Sequence, residues 1–324
     1  MTRILVSGGG GQLGQAIGWL KSSRVEAHLQ TRRASAQIRL MRRPVPQTES
    51  IHILPRSDLD ITHPESIHQA LEQYRPDVLI NAAAYTAVDK AESEPEAAHL
   101  VNAVAPGLLA QACAQRGIGL IHVSTDYVFD GQAAQLYAED APTGPINIYG
   151  KSKLEGEHAV QAALASAVIV RTSWIFSQFG NNFLKTMLRL GQERRELRIV
   201  ADQVGGPSYA PHIAQVLLLL AQRLDAGDGP PPSGIYHYAG RPDVSWYDFA
   251  QEIFHQAVQL GLLAESPSLR PISTCQYPTP AHRPAQSSLS QLRLDELLGA
   301  QAIPRDWRDG VHTSLQSLRQ NYMN

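Results

Sequence analysis

A tyrosine and a lysine four residues apart, Tyr149 and Lys153 in the run Tyr149-Gly150-Lys151-Ser152-Lys153, open a stretch with helical character that continues to residue 163. Residues four apart share one helix face, so both side chains can address the same ligand. An ammonium beside a phenol lowers its pKa from the ordinary value of about 10, and a phenol so tuned passes a proton near neutral pH. Lys153 has a second use, holding a ribose through its charge. Upstream, Ser124-Thr125-Asp126 closes a short apolar run and puts a hydroxyl and a carboxylate where a strand ends. Thr125 and Tyr149 can donate to one carbonyl oxygen and stabilise the alkoxide that forms as hydride arrives. Taken singly, the Tyr149/Lys153 pair also fits an ordinary amphipathic helix, and Ser124-Thr125-Asp126 also fits a helix cap or turn.

The N-terminus carries a second chemical signal. Residues 4–7 form an apolar run, Gly8-Gly9-Gly10-Gly11-Gln12-Leu13-Gly14 follows, and residues 15–21 read as helix. Glycines permit positive φ, let a diphosphate approach the backbone and allow a helix to pack closely on a strand, while the helix N-terminus offers unpaired N–H groups. The spacing fits both GxxGxxG, through Gly8, Gly11 and Gly14, and GxGxxG, through Gly9, Gly11 and Gly14. A tight turn without a ligand is the bland alternative; the flanking strand and helix favour a dinucleotide. An acidic residue after the second strand would mark NAD, whereas here the two candidate strands are followed by Arg32-Arg33 and by Arg56. Arginine suits a 2′-phosphate, so NADPH is the expected cofactor, with NADH a lesser option.

These groups need a scaffold that gathers strand ends. Residues 4–7, 78–82, 120–124 and 168–172 read as buried strands with amphipathic segments between them. That alternation predicts an α/β fold, a doubly wound parallel sheet of Rossmann type, with the ligand at the carboxyl ends of its strands. Residues 22–49, rich in arginine with Pro44 and Pro46, break the rhythm and read as an insertion, which leaves the second strand at either 25–30 or 51–55; the latter is favoured, because a helix opened by Pro64 follows. Residues 227–234 read as a surface loop. The expected division is a dinucleotide-binding domain at 1–173, to which 205–240 returns, and a smaller C-terminal α/β lobe, mainly substrate-binding, at 174–324.

Composition narrows the partners. With 28 basic and 30 acidic residues the formal charge is −2, so no global field favours nucleic acid or an anionic membrane. The greasiest run, residues 213–221, is shorter than a bilayer span. Cys113 and Cys275 are the only cysteines and have no metal-ligand spacing, which suits a reducing cytoplasm.

On the residues already named the chain resembles the extended short-chain dehydrogenase/reductases, and within them the dTDP-4-dehydrorhamnose reductase family. Further motifs carry the resemblance: Asp58-Leu59-Asp60-Ile61-Thr62, the block Asn81-Ala82-Ala83-Ala84-Tyr85-Thr86-Ala87-Val88-Asp89-Lys90-Ala91-Glu92, Arg171-Thr172-Ser173-Trp174, and Tyr277-Pro278-Thr279-Pro280-Ala281-His282-Arg283-Pro284. The resemblance implies that Asp60 and Ile61 flank the adenine and that Ala83, Ala84 and Tyr85 line the cofactor cleft. It implies that Thr86, Thr125, Asp126 and Trp174 face the sugar, and that Asn182 and Arg283 bind the nucleotide diphosphate. The implied reaction is NADPH-dependent reduction of the C4 keto group of dTDP-4-dehydro-L-rhamnose to dTDP-L-rhamnose. Relatives that dimerise through Mg²⁺ hold it with acidic residues where this chain has Ala16 and Pro211, so no metal is expected and a monomer and a homodimer stay open. Two other readings share the fold: a nucleotide-sugar epimerase or dehydratase, and a non-catalytic subunit resembling the regulatory subunit of methionine adenosyltransferase.

Overall fold

The computed structural model describes residues 2–29, 50–225 and 231–323. The chain begins β1 (Arg3–Ser7), α1 (Gln12–Leu29), β2 (Ser50–Leu54), α2 (Pro64–Tyr74) and β3 (Val78–Asn81). It continues α3 (Val88–Ala91), α4 (Pro95–His99), α5 (Ala105–Arg116), β4 (Gly119–Thr125), α6 (Ile148–Ala163) and β5 (Val168–Thr172). The remainder contains β6 (Ile175–Phe176), α7 (Phe183–Glu193), β7 (Glu196–Val200), β8 (Val204–Gly205), β9 (Ser208–Tyr209), α8 (Ala210–Asp225) and β10 (Gly234–Tyr238). Last come β11 (Val244–Ser245), α9 (Trp246–Gln259), β12 (Ser268–Ile272), α10 (Leu292–Leu298) and α11 (Trp307–Met323).

Six strands form the main sheet in the order β10-β5-β4-β3-β1-β2, every pair parallel. Covered on both faces, these strands have apolar centres, as Val78-Leu79-Ile80 shows, with polar residues gathered toward their carboxyl ends. One face packs on α1 and α8 through Ile17, Leu20, Ile213 and Leu217; the other packs on α2, α5 and α6 through Leu71, Leu109 and Val160. The doubly wound architecture is thus as expected, and the second strand is the later of its two candidates. The earlier one, at 25–30, is helical through Leu29, so the first residues of the supposed insertion extend α1; residues 30–49 lie outside those described.

A separate apolar cluster centres on Phe249, Phe254, Met187 and Trp307. It joins α7, α9 and α11 to the parallel ribbon of β7 and β12. The helical stretch Pro95–Arg116, unremarked in the sequence, is long and apolar enough to cross a bilayer, yet 56% of its apolar 18-residue window is buried inside the protein, where Leu109, Ala110 and Cys113 pack under the sheet. It is a core helix of the second layer.

Candidate active site

Where the sheet's carboxyl ends meet the C-terminal cluster, a cleft of about 1400 Å³ runs from the glycine turn to the ribbon of β7 and β12. At its first end Gly8 adopts φ +77, and a Cβ there would sit 2.6 Å from Ala83 N. Gly14 packs so tightly that its Cβ would lie 2.5 Å from Gly8 O. Gly8, Gly10, Gly11, Gln12 and Leu13 form the wall, whereas Gly14 lies behind it and holds the turn together. The first N–H groups of α1 have no partners within the helix and point out of its N-terminus toward this wall. Backbone donors, a favourable dipole and no intervening side chain suit a dinucleotide diphosphate.

Arg56, Asp60 and Ile61 lie along the neighbouring wall. Thr62 donates to Asp60 Oδ1 from its backbone N at 3.0 Å and its hydroxyl at 2.7 Å, and Arg56 Nε donates to Asp60 Oδ2 at 3.1 Å. Burial pushes the Asp60 carboxyl up, but the Thr62 and Arg56 contacts outweigh it and bring it down to about 2. The Arg56 side chain, 77% exposed, stands at the cleft's rim.

Thr125 ends β4, and Asn147 caps α6 by accepting from Gly150 N at 2.7 Å, so Tyr149 is presented in the first turn of the helix. Close packing forces the glycine here: a Cβ at Gly150 would lie 2.1 Å from Tyr127 O. Tyr149 and Thr125 both face the cleft. Burial pushes the Tyr149 phenol up to about 12, partly opposed by a hydrogen bond from Thr125 and reinforced by the Asp126 charge. The lowering by Lys153 expected from their spacing is absent. Lys153 is buried behind the wall, and its Nζ donates to Val123 O at 2.8 Å instead of facing the phenol. Burial brings Lys153 down to about 8, against the charge of Glu157. Asp126 is buried too and pushed up to about 6, opposed by the hydroxyls of Ser287 and Thr125.

Across the cleft, Trp174 adopts φ 45 and lies flat on Trp246, with ring centroids 3.5 Å apart and planes 7° from parallel. The indole pair forms an apolar stretch of the same cleft that Thr125 and Tyr149 line, the kind of surface that takes a deoxysugar face. Arg283 also reaches the cleft, its guanidinium fixed by Asp89 Oδ2 at 2.7 Å and Thr279 Oγ1 at 2.6 Å. Ala83, Ala84 and Thr86 line the middle. Two expected wall residues face elsewhere. The Tyr85 hydroxyl donates to Glu94 at 2.9 Å. Asn182 caps α7, accepting from Lys185 N at 3.2 Å, and its amide donates to Gln12 Oε1 at 3.0 Å and Ser177 O at 2.7 Å, which leaves no donor for a diphosphate. Asn182 and Gln12 thereby tie the glycine turn to the N-terminus of α7. Trp246, Gln203 and Arg198 enter the cleft unforeseen, because nothing in their local spacing links them to Trp174 or Tyr149.

Ala16 and Pro211 are both buried in apolar surroundings and offer no oxygen ligand, and no cluster of three or more His, Cys, Asp or Glu occurs among the described residues.

Comparison with known proteins places this cleft in a family. Residues 1–320 match the family model of the RmlD substrate binding domain. The chain is 41% identical to the dTDP-4-dehydrorhamnose reductase of Aggregatibacter actinomycetemcomitans over 95% of this chain and 96% of that one. It is 42% identical to the dTDP-4-dehydrorhamnose reductase of Escherichia coli K12 over 80% of this chain and 85% of that one. The crystal structure of the Bacillus anthracis dTDP-4-dehydrorhamnose reductase in complex with NADP superposes with a TM-score of 0.80 at 32% identity, covering 98% of this chain and 99% of that one. A match over nearly the whole length, with the cleft built from the same segments that carry the glycine turn and the Tyr149/Lys153 helix, makes this chain a member of the RmlD substrate binding domain family.

Proposed function

We propose that this chain is a dTDP-4-dehydrorhamnose reductase, which uses NADPH to reduce the C4 keto group of dTDP-4-dehydro-L-rhamnose to dTDP-L-rhamnose. The observation that carries the reading is the meeting of the Thr125 and Tyr149 hydroxyls in one cleft with the stacked Trp174 and Trp246 and the glycine turn.

When bound, the dinucleotide supplies the hydride. Its fit rests on the turn from Gly8 to Gly14, where added Cβ atoms at Gly8 or Gly14 would collide with backbone and where Gly10 faces open space. Asp60 and Ile61 flank the adenine, Ala83 and Ala84 form a small-residue wall, and Arg56 meets the 2′-phosphate as a planar cation. Trp174 packs on the sugar, Thr86 and Asp126 border it, and Arg283 pairs with the nucleotide diphosphate. Thr125 and Tyr149 direct two donors at the C4 oxygen and stabilise the charge that develops there. A phenol held up at about 12 keeps its proton at neutral pH, the state a reduction requires. An alkoxide is more basic than that phenolate, so the transfer from Tyr149 to oxygen runs downhill. Lys153 would meet the ribose only by releasing Val123 O, the acceptor that its Nζ holds behind the wall. The cis elements of this reading include the domain division at 173/174, with 205–240 returning to the sheet; β10 beside β5 and the separate cluster around Phe249 support it. We also assign the enzyme to the cytoplasm, as a monomer or homodimer without nucleic-acid or membrane partners.

The test is NADPH absorbance after adding dTDP-4-dehydro-L-rhamnose to wild type and to Tyr149→Phe. Rapid oxidation by wild type and a loss of about 10²-fold or more in the variant are expected of a general acid. Tightly retained NAD with no net NADPH consumption would sink the reductase reading in favour of an epimerase.

A further inference from the structure

Beneath the catalytic wall, three polar side chains stand side by side in the sheet. Ser7 of β1 pairs in register with Asn81 of β3, and Asn81 with His122 of β4; all three are buried. Their donor and acceptor roles are fixed from one end. The backbone N–H of Ala83 can only donate, and it reaches Asn81 Oδ1 at 3.2 Å; Ser7 Oγ donates to the same oxygen at 2.7 Å. The Asn81 amide is therefore oriented with Nδ2 toward His122 Nδ1, 3.0 Å away, and an NH₂ group can only donate. His122 Nδ1 accepts that bond and so carries no proton. Burial holds the ring far below its ordinary pKa, which excludes the imidazolium. The one proton of the neutral ring then sits on Nε2, and Nε2 faces Lys153 Nζ at 3.4 Å.

An N–H directed at an ammonium opposes it; the same N–H directed at the lone pair of an amine is a hydrogen bond. We propose that His122, locked in its Nε2–H tautomer by Asn81 and Ser7, is a positioning residue that disfavours the charged form of Lys153 and so sets the pH at which Lys153 changes charge beside Tyr149. The other groups around Lys153 are few. Glu157, one turn further along α6, favours its charge but is clamped by Arg171 of β5 at 2.7 Å. Tyr149 lies one turn back on the same helix. From the helical turn before α5, Asn102 meets α6 through groups that carry no charge, its amide donating to the Ser152 hydroxyl at 3.1 Å and its backbone carbonyl packing against Gly156. Nζ spends one donor on Val123 O, and burial pushes Lys153 in the same direction as the His122 N–H.

The consequence for catalysis rests on the reductase reading, but the protonation states are measurable without turnover. Long-range ¹H–¹⁵N spectra of histidine-labelled, cofactor-free protein should show His122 protonated at Nε2 and bare at Nδ1. A ¹³Cε-lysine titration, with the Lys153 signal assigned by its loss in Lys153→Met, should show Lys153 binding its proton roughly three- to tenfold more tightly in His122→Leu than in wild type, the equilibrium weight of one hydrogen bond. A purely structural role for His122 would leave that titration in place. An Nδ1–H ring or an imidazolium in wild type overturns the proposal, as does an unchanged Lys153 titration in the variant. Should His122→Leu fail to fold, the wild-type tautomer decides alone. Failure of wild type to oxidise NADPH would instead refute the reductase reading and leave both spectra standing.

Discussion

Replacing Glu157 with glutamine is expected to destabilise the protein far more than the loss of any surface ion pair. Arg171 Nε donates to Glu157 Oε1 at 2.9 Å and Nη2 to Oε2 at 2.7 Å, with the two side chains 3% and 1% exposed. Behind the guanidinium lies Phe129, its ring centroid 5.1 Å from Cζ, and Nη1 is buried with no hydrogen-bond partner. Glu157→Gln removes the one charge among the described residues that compensates Arg171 at contact distance and replaces an acceptor by an NH₂ among donors. Breaking one side of such a pair costs about 3–5 kcal/mol. Removing both partners with Glu157→Leu and Arg171→Met is expected to be near neutral, because no uncompensated charge is left behind. The exposed pair Arg189 and Glu193, at 60% and 50% exposure, serves as control, and Glu193→Gln should change nothing measurable. Urea unfolding followed by circular dichroism gives all four midpoints. If Glu157→Gln lies within about 1 kcal/mol of wild type, or the double variant is as unstable as the single one, the charge argument is wrong.

Three further outcomes follow from the same geometry. Lys153→Met should abolish reduction yet stabilise the neutral-pH protein by about 1–3 kcal/mol. Its folded pKa, about 8, lies below the ordinary 10.5, so the unfolded chain holds the proton more tightly; the penalty is full below about 8 and fades as pH rises toward 10.5. Thermal melts at pH 7 and 10 read this directly, and a more stable wild type at pH 7 would refute it. Arg56→Ala should raise KM for NADPH by about tenfold while barely moving that for NADH, since a planar cation is lost from a phosphate that only NADPH carries; equal effects on both cofactors would place Arg56 elsewhere. In Gly14→Ala the new methyl would start 2.5 Å from Gly8 O, so the turn must open and NADPH binding, read by its fluorescence, should weaken at least tenfold.

Most of the scaffold was legible because its signals are local. Short β-branched-rich apolar runs such as 78–80 and 168–170 read as buried strands by their length and composition, and the glycine run needs only its neighbours to be understood. What failed was long-range or depended on direction. Spacing placed Tyr149 and Lys153 on one helix face, but not which side of the cleft wall each occupies; Lys153 turned inward to the Val123 carbonyl. Asn182 was expected at the diphosphate only through the family resemblance, which carries no information on local hydrogen bonding; here its side chain caps α7 and ties to Gln12. Trp246 was invisible because its partner Trp174 belongs to a distant segment, and the two meet only once α9 packs on α7.

The polar groups below the site explain each other better than any of them does alone. The buried seam between the sheet and α6 should exclude Ser7, Asn81, His122 and Arg171 of the strands and Lys153 and Glu157 of the helix, each of which costs free energy when taken out of water. They persist at the carboxyl ends of the strands, on the face covered by α6, and each contact fixes the next: Ala83 orients Asn81, Asn81 selects the His122 tautomer, and His122 meets Lys153. Glu157 and Arg171 close the same helix onto β5 from the other side. The second and third turns of α6 are therefore held by two polar anchors, and Tyr149 stands in the turn just before them. A hydroxyl that must meet a substrate oxygen within a few tenths of an ångström needs such a rigid mount, and an apolar interface, which tolerates sliding, would supply burial without direction.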